Sequence, residues 1–154
     1  MKEKLAPYFK WQKMIVLATL DNNNNPYVSN VYFWYDDEFN LYFLSKLERN
    51  HSQHILDNWK VAVSIIDTKK YSVVDWDKQA LQIQWTAELL EWEDAKQGFE
   101  YYKNNIPDIV KLWENFHSWD IFKADWNNIF KINIRNVKIW DEEKYKHWWE
   151  IIIF

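Results

Sequence analysis

Between Leu44 and Ile55 the chain reads Leu-Ser-Lys-Leu-Glu-Arg-Asn-His-Ser-Gln-His-Ile, and Ser45, Lys46, Arg49, Asn50, His51 and Gln53 fall within it. A strand pattern ends there and a helical period begins, with Leu47, His51, His54 or Ile55, and Asn58 at helical spacing. The first amides of a helix have no partner inside it and carry partial positive charge. Hydroxyl and cationic side chains beside them complete an anion site that needs no glycine. Such a site suits a phosphate. The same residues equally suit an ordinary solvated helix start.

Other chemistries are less well provided. His51 and His54 stand at i and i+3, but no third ligand lies near them in sequence, so the residues imply no metal site. His117 and His147 have no partner pattern. Asp36-Asp37-Glu38 reads as a hairpin turn and Asp141-Glu142-Glu143 as a solvated tail rather than as catalytic carboxylate pairs. The serines lack an identifiable base and orienter, so hydrolysis is not supported. No residue is nominated as a catalytic acid or base.

The chain has one glycine, Gly98, and twelve tryptophans in 154 residues. Average usage would give about eleven glycines. A G-x-G-x-x-G loop, a Walker A loop and a G-x-S-x-G elbow are therefore all excluded, and any phosphate must be held mainly by side chains. Several tryptophans stand where a turn residue is expected. That pattern suits two readings: a chain that is simply tryptophan-rich, or one in which some of these codons are UGA and decoded as glycine in the source organism.

The net charge of −4 and pI near 5.6 oppose nucleic-acid binding, which needs a basic stripe. No cysteine is present, so there is no disulfide, thiol nucleophile or Cys-type zinc site. The apolar run Met14 to Ala18 is too short and too late for a signal peptide, and nothing approaches a membrane span. The expectation is a cytoplasmic chain forming one domain over 1–154.

The elements that must position the polar segment follow from periodicity. A helix over about 2–12 places Leu5, Tyr8 and Phe9 on one face. Strands are expected at Met14 to Leu20, Tyr27 to Tyr35 and Leu41 to Ser45, joined by turns at Asp21 to Pro26 and Asp36 to Glu38. A helix over Glu48 to Asn58 and a strand over Lys60 to Asp67 follow. Thr68 to Lys78 reads as loop. Leu81, Ile83, Trp85, Ala87 and Leu89 alternate strictly with polar residues, the signature of a strand with one buried face. Ala95, Phe99, Tyr102, Ile106 and Ile109 form a helical stripe that Pro107 should split. Buried parity changes between Ile134 and Val137, which demands a bulge near Arg135-Asn136. The apolar tail, about 141–154, should dock on the core or on a partner subunit. Six mostly antiparallel strands with such a bulge suggest a small closed barrel.

Several stretches in matching order then resemble one family. They are Leu17-Ala-Thr-Leu-Asp, Asn25-Pro-Tyr-Val-Ser-Asn-Val-Tyr-Phe, Tyr35-Asp-Asp-Glu, Leu41-Tyr-Phe-Leu-Ser, Arg49-Asn-His-Ser-Gln-His-Ile and Val61-Ala-Val-Ser-Ile. The likeness continues through Ala80-Leu-Gln-Ile-Gln-Trp-Thr-Ala-Glu-Leu-Leu and Phe130-Lys-Ile-Asn-Ile-Arg-Asn-Val-Lys-Ile-Trp-Asp. Over about residues 14–140 the chain looks like a member of the pyridoxamine 5′-phosphate oxidase-like family, the FMN-binding split barrels, on its small, poorly characterised branch.

The resemblance implies a six-stranded antiparallel split β-barrel flanked by helices, and a homodimer with FMN at the subunit interface. It places the FMN phosphate at Ser45, Arg49, Asn50, His51 and Gln53, with the positive charge moved by one position onto Arg49. Ser29, Asn30 and Val31 would run along the isoalloxazine ring, and Gln82 would add a polar contact. The implied activity is a flavin-dependent oxidoreductase acting on a small molecule. The alternative is a barrel that only binds, carrying flavin or haem or nothing. Trp85 stands where family members commonly have glycine, so an indole there is expected to overpack the core or fill the flavin cleft.

Overall fold

The computed structural model describes residues 2–10, 12–66, 79–105, 119, 128–141, 144 and 149–153. Its elements are α1 (Lys2–Phe9), β1 (Met14–Leu20), β2 (Pro26–Tyr35), β3 (Leu41–Ser45), α2 (Asn50–Asp57), β4 (Lys60–Ile66), β5 (Gln79–Leu89), α3 (Trp92–Asn105), β6 (Asn128–Asp141) and β7 (Trp149–Ile153). The expected loop at 68–78, the stripe beyond Asn105 with Pro107, and His117 and His147 lie outside the described residues.

All strand pairings given by the register are antiparallel, in the order β3-β2-β1-β4-β5-β6-β7, and β3 also pairs with β6. That last pairing closes β1 to β6 into a six-stranded barrel. One edge of β6 is divided: residues 128–132 pair with β3, and residues 136–140 pair with β7. The apolar tail thus docks as a seventh strand on its own sheet.

The barrel is filled by alternate residues, as period-2 patterning requires. Ile15 and Leu17 of β1, Val31 and Phe33 of β2, Phe43 of β3, Val63 of β4, Ile83 of β5 and Ile132 and Val137 of β6 share one core cluster. Burying each such side chain stabilises by about 1.5–3 kcal/mol. Leu5, Tyr8 and Phe9 of α1 join the same cluster. The helix stops at Phe9, where the Gln12 amide turns back onto the Phe9 carbonyl. Asp141, expected in a solvated tail, is instead buried. It accepts bonds from the Tyr8 hydroxyl at 2.6 Å, the Gln79 amide at 3.0 Å and the Lys144 backbone N–H at 2.9 Å, which secures α1 against the end of the sheet.

The tight turns are made without glycine. In the β1–β2 turn the Asp21 carboxylate accepts bonds from the Asn23 and Asn25 backbone and the Asn25 side chain, while Asn24 takes a φ of 62°. The β2–β3 turn repeats the device with Asp36, Glu38 and Asn40, and Phe39 takes a φ of 65°. Aspartate side chains thus supply the turn-closing acceptors.

The expected bulge is present. Gln84 pairs with Asn136 but Thr86 with Asn133, so two residues, Ile134 and Arg135, face Trp85 alone. This corrects the expectation for Trp85. The indole belongs to neither core cluster and is only half-buried, because the bulge opens the ladder there and Arg135 covers its ring at 4.8 Å. Trp92, the first residue of α3, has a φ of 49° and is 80% exposed. That is backbone geometry that favours glycine.

Candidate functional site

Ser45 ends β3 and α2 begins five residues later, so the chain turns from sheet into helix over Lys46 to Arg49. α2 packs against β1, β2 and β5 and sends Ile55 into the core, which fixes its first turn beside β2. Its N-cap, Arg49, is extended (φ −74°, ψ 141°) and makes no side-chain cap bond. The first amides of α2 therefore receive no acceptor from the cap side chain. Lys46 and Arg49 are exposed beside them.

Below this turn lies a polar network. The His51 ring meets the Ser29 hydroxyl through Nδ1 at 3.1 Å and the Ser45 hydroxyl through Nε2 at 2.7 Å. The Ser52 hydroxyl donates to Ser45 Oγ at 2.9 Å, and Ser45 also reaches the Lys46 carbonyl at 3.3 Å. Burial, then the nearby Arg49 and His54, push the His51 pKa below its ordinary value. A neutral imidazole bridging two hydroxyls is thus the favoured state. His54 meets the buried Thr19 hydroxyl at 3.0 Å. Among the described residues no group of three or more histidine or carboxylate side chains gathers as a metal site.

A cleft of about 740 Å³ opens above this network, lined by Tyr27 to Tyr32 and Trp34 of β2, Leu44 to Lys46, Glu48 to His51, and Tyr102 of α3. Ligand sites commonly span ~300–1,000 Å³. The strand pairing explains why β2 is available. Residues 26–32 pair with β1 on one side, but β2 meets β3 only at Phe33, Trp34 and Tyr35. Among the described residues, the other edge of β2 upstream of Phe33 has no strand against it. Its backbone donors and acceptors border the cleft.

Of the nine expected site residues, seven line this cleft: Ser29, Asn30, Val31, Ser45, Arg49, Asn50 and His51. Val31 is buried inward, so only its backbone is offered. The other two lie elsewhere. Gln53 donates its side-chain amide to the Leu47 carbonyl at 2.7 Å, holding the turn. Gln82 is exposed in mid-β5, paired with Ser64 and Lys138. Lys46, part of the polar segment singled out in the sequence, lines the cleft as well, whereas sequence reasoning left out Tyr32, Trp34 and Tyr102. The outward parity of Asn30, Tyr32 and Trp34 on β2 was the signal that could have found two of them. Trp85 lines a separate 620 Å³ cavity with Trp59 and Pro26.

The family model described as pyridoxamine 5′-phosphate oxidase matches residues 1–141. No curated protein matches the chain. Among solved structures, General Stress Protein 26 from Bacillus anthracis is 19% identical, with a TM-score of 0.68 over 99% of this chain and 98% of that one. A heme binding protein from Mycobacterium smegmatis is 10% identical, with a TM-score of 0.72 over 99% of this chain but 58% of its own. The heme storage protein HutZ from Vibrio cholerae is 16% identical, with a TM-score of 0.64 over 88% and 91%. At these identities the likeness shows the fold. No helix among the described residues is long and apolar enough to cross a membrane.

Proposed function

The chain belongs to the pyridoxamine 5′-phosphate oxidase family, and on that premise we propose that its cleft binds FMN and serves a flavin-dependent oxidoreductase. The observation that carries this reading is the meeting of an uncapped helix start, two exposed cations and an open strand edge in one cleft of suitable size. The phosphate is held by the first amides of α2 with Lys46 and Arg49. Ser45 and His51 bond to each other and to Ser29 and Ser52, so they position the helix rather than contact the phosphate. The ring lies along the free edge of β2, where Ser29, Asn30 and Val31 supply backbone hydrogen bonds.

Bound flavin supplies electron and hydride transfer. The chain's part is to anchor the phosphate, orient the ring and exclude water. Val28 and Tyr32 are 61% and 64% exposed on the same strand, which supports a homodimer whose second copy covers them. A monomer in sedimentation at micromolar concentration would contradict that part. Haem is the weaker reading, because His51, the one imidazole lining the cleft among the described residues, has both nitrogens engaged. Changing Lys46 and Arg49 together to Ala should weaken FMN much more than riboflavin, since only FMN carries the phosphate. Equal losses would remove the phosphate assignment.

A further inference from the structure

Trp34 stands apart from the other residues of the cleft. It is 2% exposed, yet its indole N–H has no hydrogen-bond partner. Buried donors are nearly always paired, so an orphan of this kind needs a physical reason. The ring is held between two tyrosines, stacked on Tyr42 with centroids 5.8 Å apart and tilted against Tyr102 at 4.7 Å. Tyr42 is itself tied by its hydroxyl to Asp36 at 2.8 Å, so that side of the sandwich is fixed. Burial pushes the Tyr102 hydroxyl up to about 12, which keeps it protonated.

The position of Trp34 supplies the reason. Asn30, Tyr32 and Trp34 alternate along the outward side of β2, and all three line the cleft. Ser29, bonded to His51 beneath the start of α2, lies five residues from Trp34, roughly 17 Å along an extended strand. The cleft therefore has a cationic end at α2 and an aromatic end at Trp34 with one unused donor. We propose that Trp34 is a specificity residue: its Nε1–H donates to a carbonyl oxygen at the far edge of a planar ring ligand whose phosphate sits at α2. The ring edge enters on the Tyr102 side, because Tyr42 cannot yield without breaking its bond to Asp36. This inference rests on the FMN reading above and adds a ring-edge contact that the phosphate end does not require.

The test compares wild type with Trp34→Phe, which keeps an aromatic ring and deletes the donor. FMN and riboflavin carry the same ring, so both should bind roughly fivefold more weakly, the loss of about one hydrogen bond. The double Ala variant of Lys46 and Arg49, by contrast, discriminates between them. A second readout needs no stable variant. In ¹⁵N-labelled wild type, the Trp34 indole N–H resonance should move downfield on adding FMN, as expected for a newly bonded donor. It is assigned by its absence from Trp34→Phe, or from Trp34→Tyr if the first does not fold. Flavin binding with an unmoved indole resonance, or with unchanged affinity in Trp34→Phe, would overturn this proposal and leave the FMN reading standing. Failure of wild type to bind FMN would overturn both.

Discussion

Replacing His51 by Ala separates two roles that the sequence alone merges. As a bare phosphate ligand, His51 would be dispensable to the free protein. In the structure it bridges Ser29 on β2 and Ser45 on β3, at 3.1 and 2.7 Å, and its ring lies edge-on to Phe43 at 6.0 Å. Two hydrogen bonds at about 0.5–1.5 kcal/mol each give a loss of about 1–3 kcal/mol. Ser45 keeps its contacts with Ser52 and the Lys46 carbonyl, so it is not orphaned, and the middle of that range applies. For a chain of this length, about 2 kcal/mol corresponds to a melting temperature roughly 4–8 °C lower. Thermal melts of the flavin-free protein, followed by circular dichroism, read this directly.

The pH dependence follows from the same bridge. The folded-state pKa of His51 is depressed, with burial the leading cause. The unfolded chain, near ~6.5, therefore takes up the proton first. Stability is fully present above that value and falls as pH drops from it toward the lower folded pKa. The His51→Ala protein should lack this step. A variant that melts with wild type at neutral pH, or that keeps the acid step, would refute the bridging role.

Two further substitutions probe the glycine-free backbone. Trp92→Gly should stabilise by about 1 kcal/mol, because it relieves a positive φ and removes a side chain that is 80% exposed; an unchanged or lower chemical-denaturation midpoint would contradict this. The gene should carry UGA at that codon, and a UGG codon would end the decoding explanation there. Asp36→Ala removes the acceptor for the Glu38 and Asn40 backbone amides, the Asn40 side chain and the Tyr42 hydroxyl. It should cost roughly 2–3 kcal/mol in urea titrations, and a loss below half of that would show that the turn holds without it.

The barrel was legible wherever burial follows a simple period. β1 and β3 fall on the expected residues, and the parity change between Ile134 and Val137 located the bulge that the register shows opposite Trp85. Helix ends were less legible. α2 starts at Asn50 rather than Glu48, because the chain first makes a turn in which the Arg49 amide bonds to the Lys46 carbonyl. Trp85 shows the limit of strand alternation: its inward parity suggested a core position, and a bulge contributed by β6 changed its surroundings. Within the candidate site, most residues that the family likeness named line one cleft, but their side-chain roles depended on pairing. No spacing rule says that Ser45 and His51 bond to each other, nor that the N–H of Trp34 is left unpaired. These facts arise from contacts between β2, β3, α2 and α3.

The most direct measurement is the visible absorption spectrum of the purified protein after incubation with FMN and gel filtration. The account predicts a flavin spectrum that travels with the protein and is lost when Lys46 and Arg49 are both Ala. A protein peak without flavin absorbance, or one that takes up haem with a Soret band in its place, would contradict it.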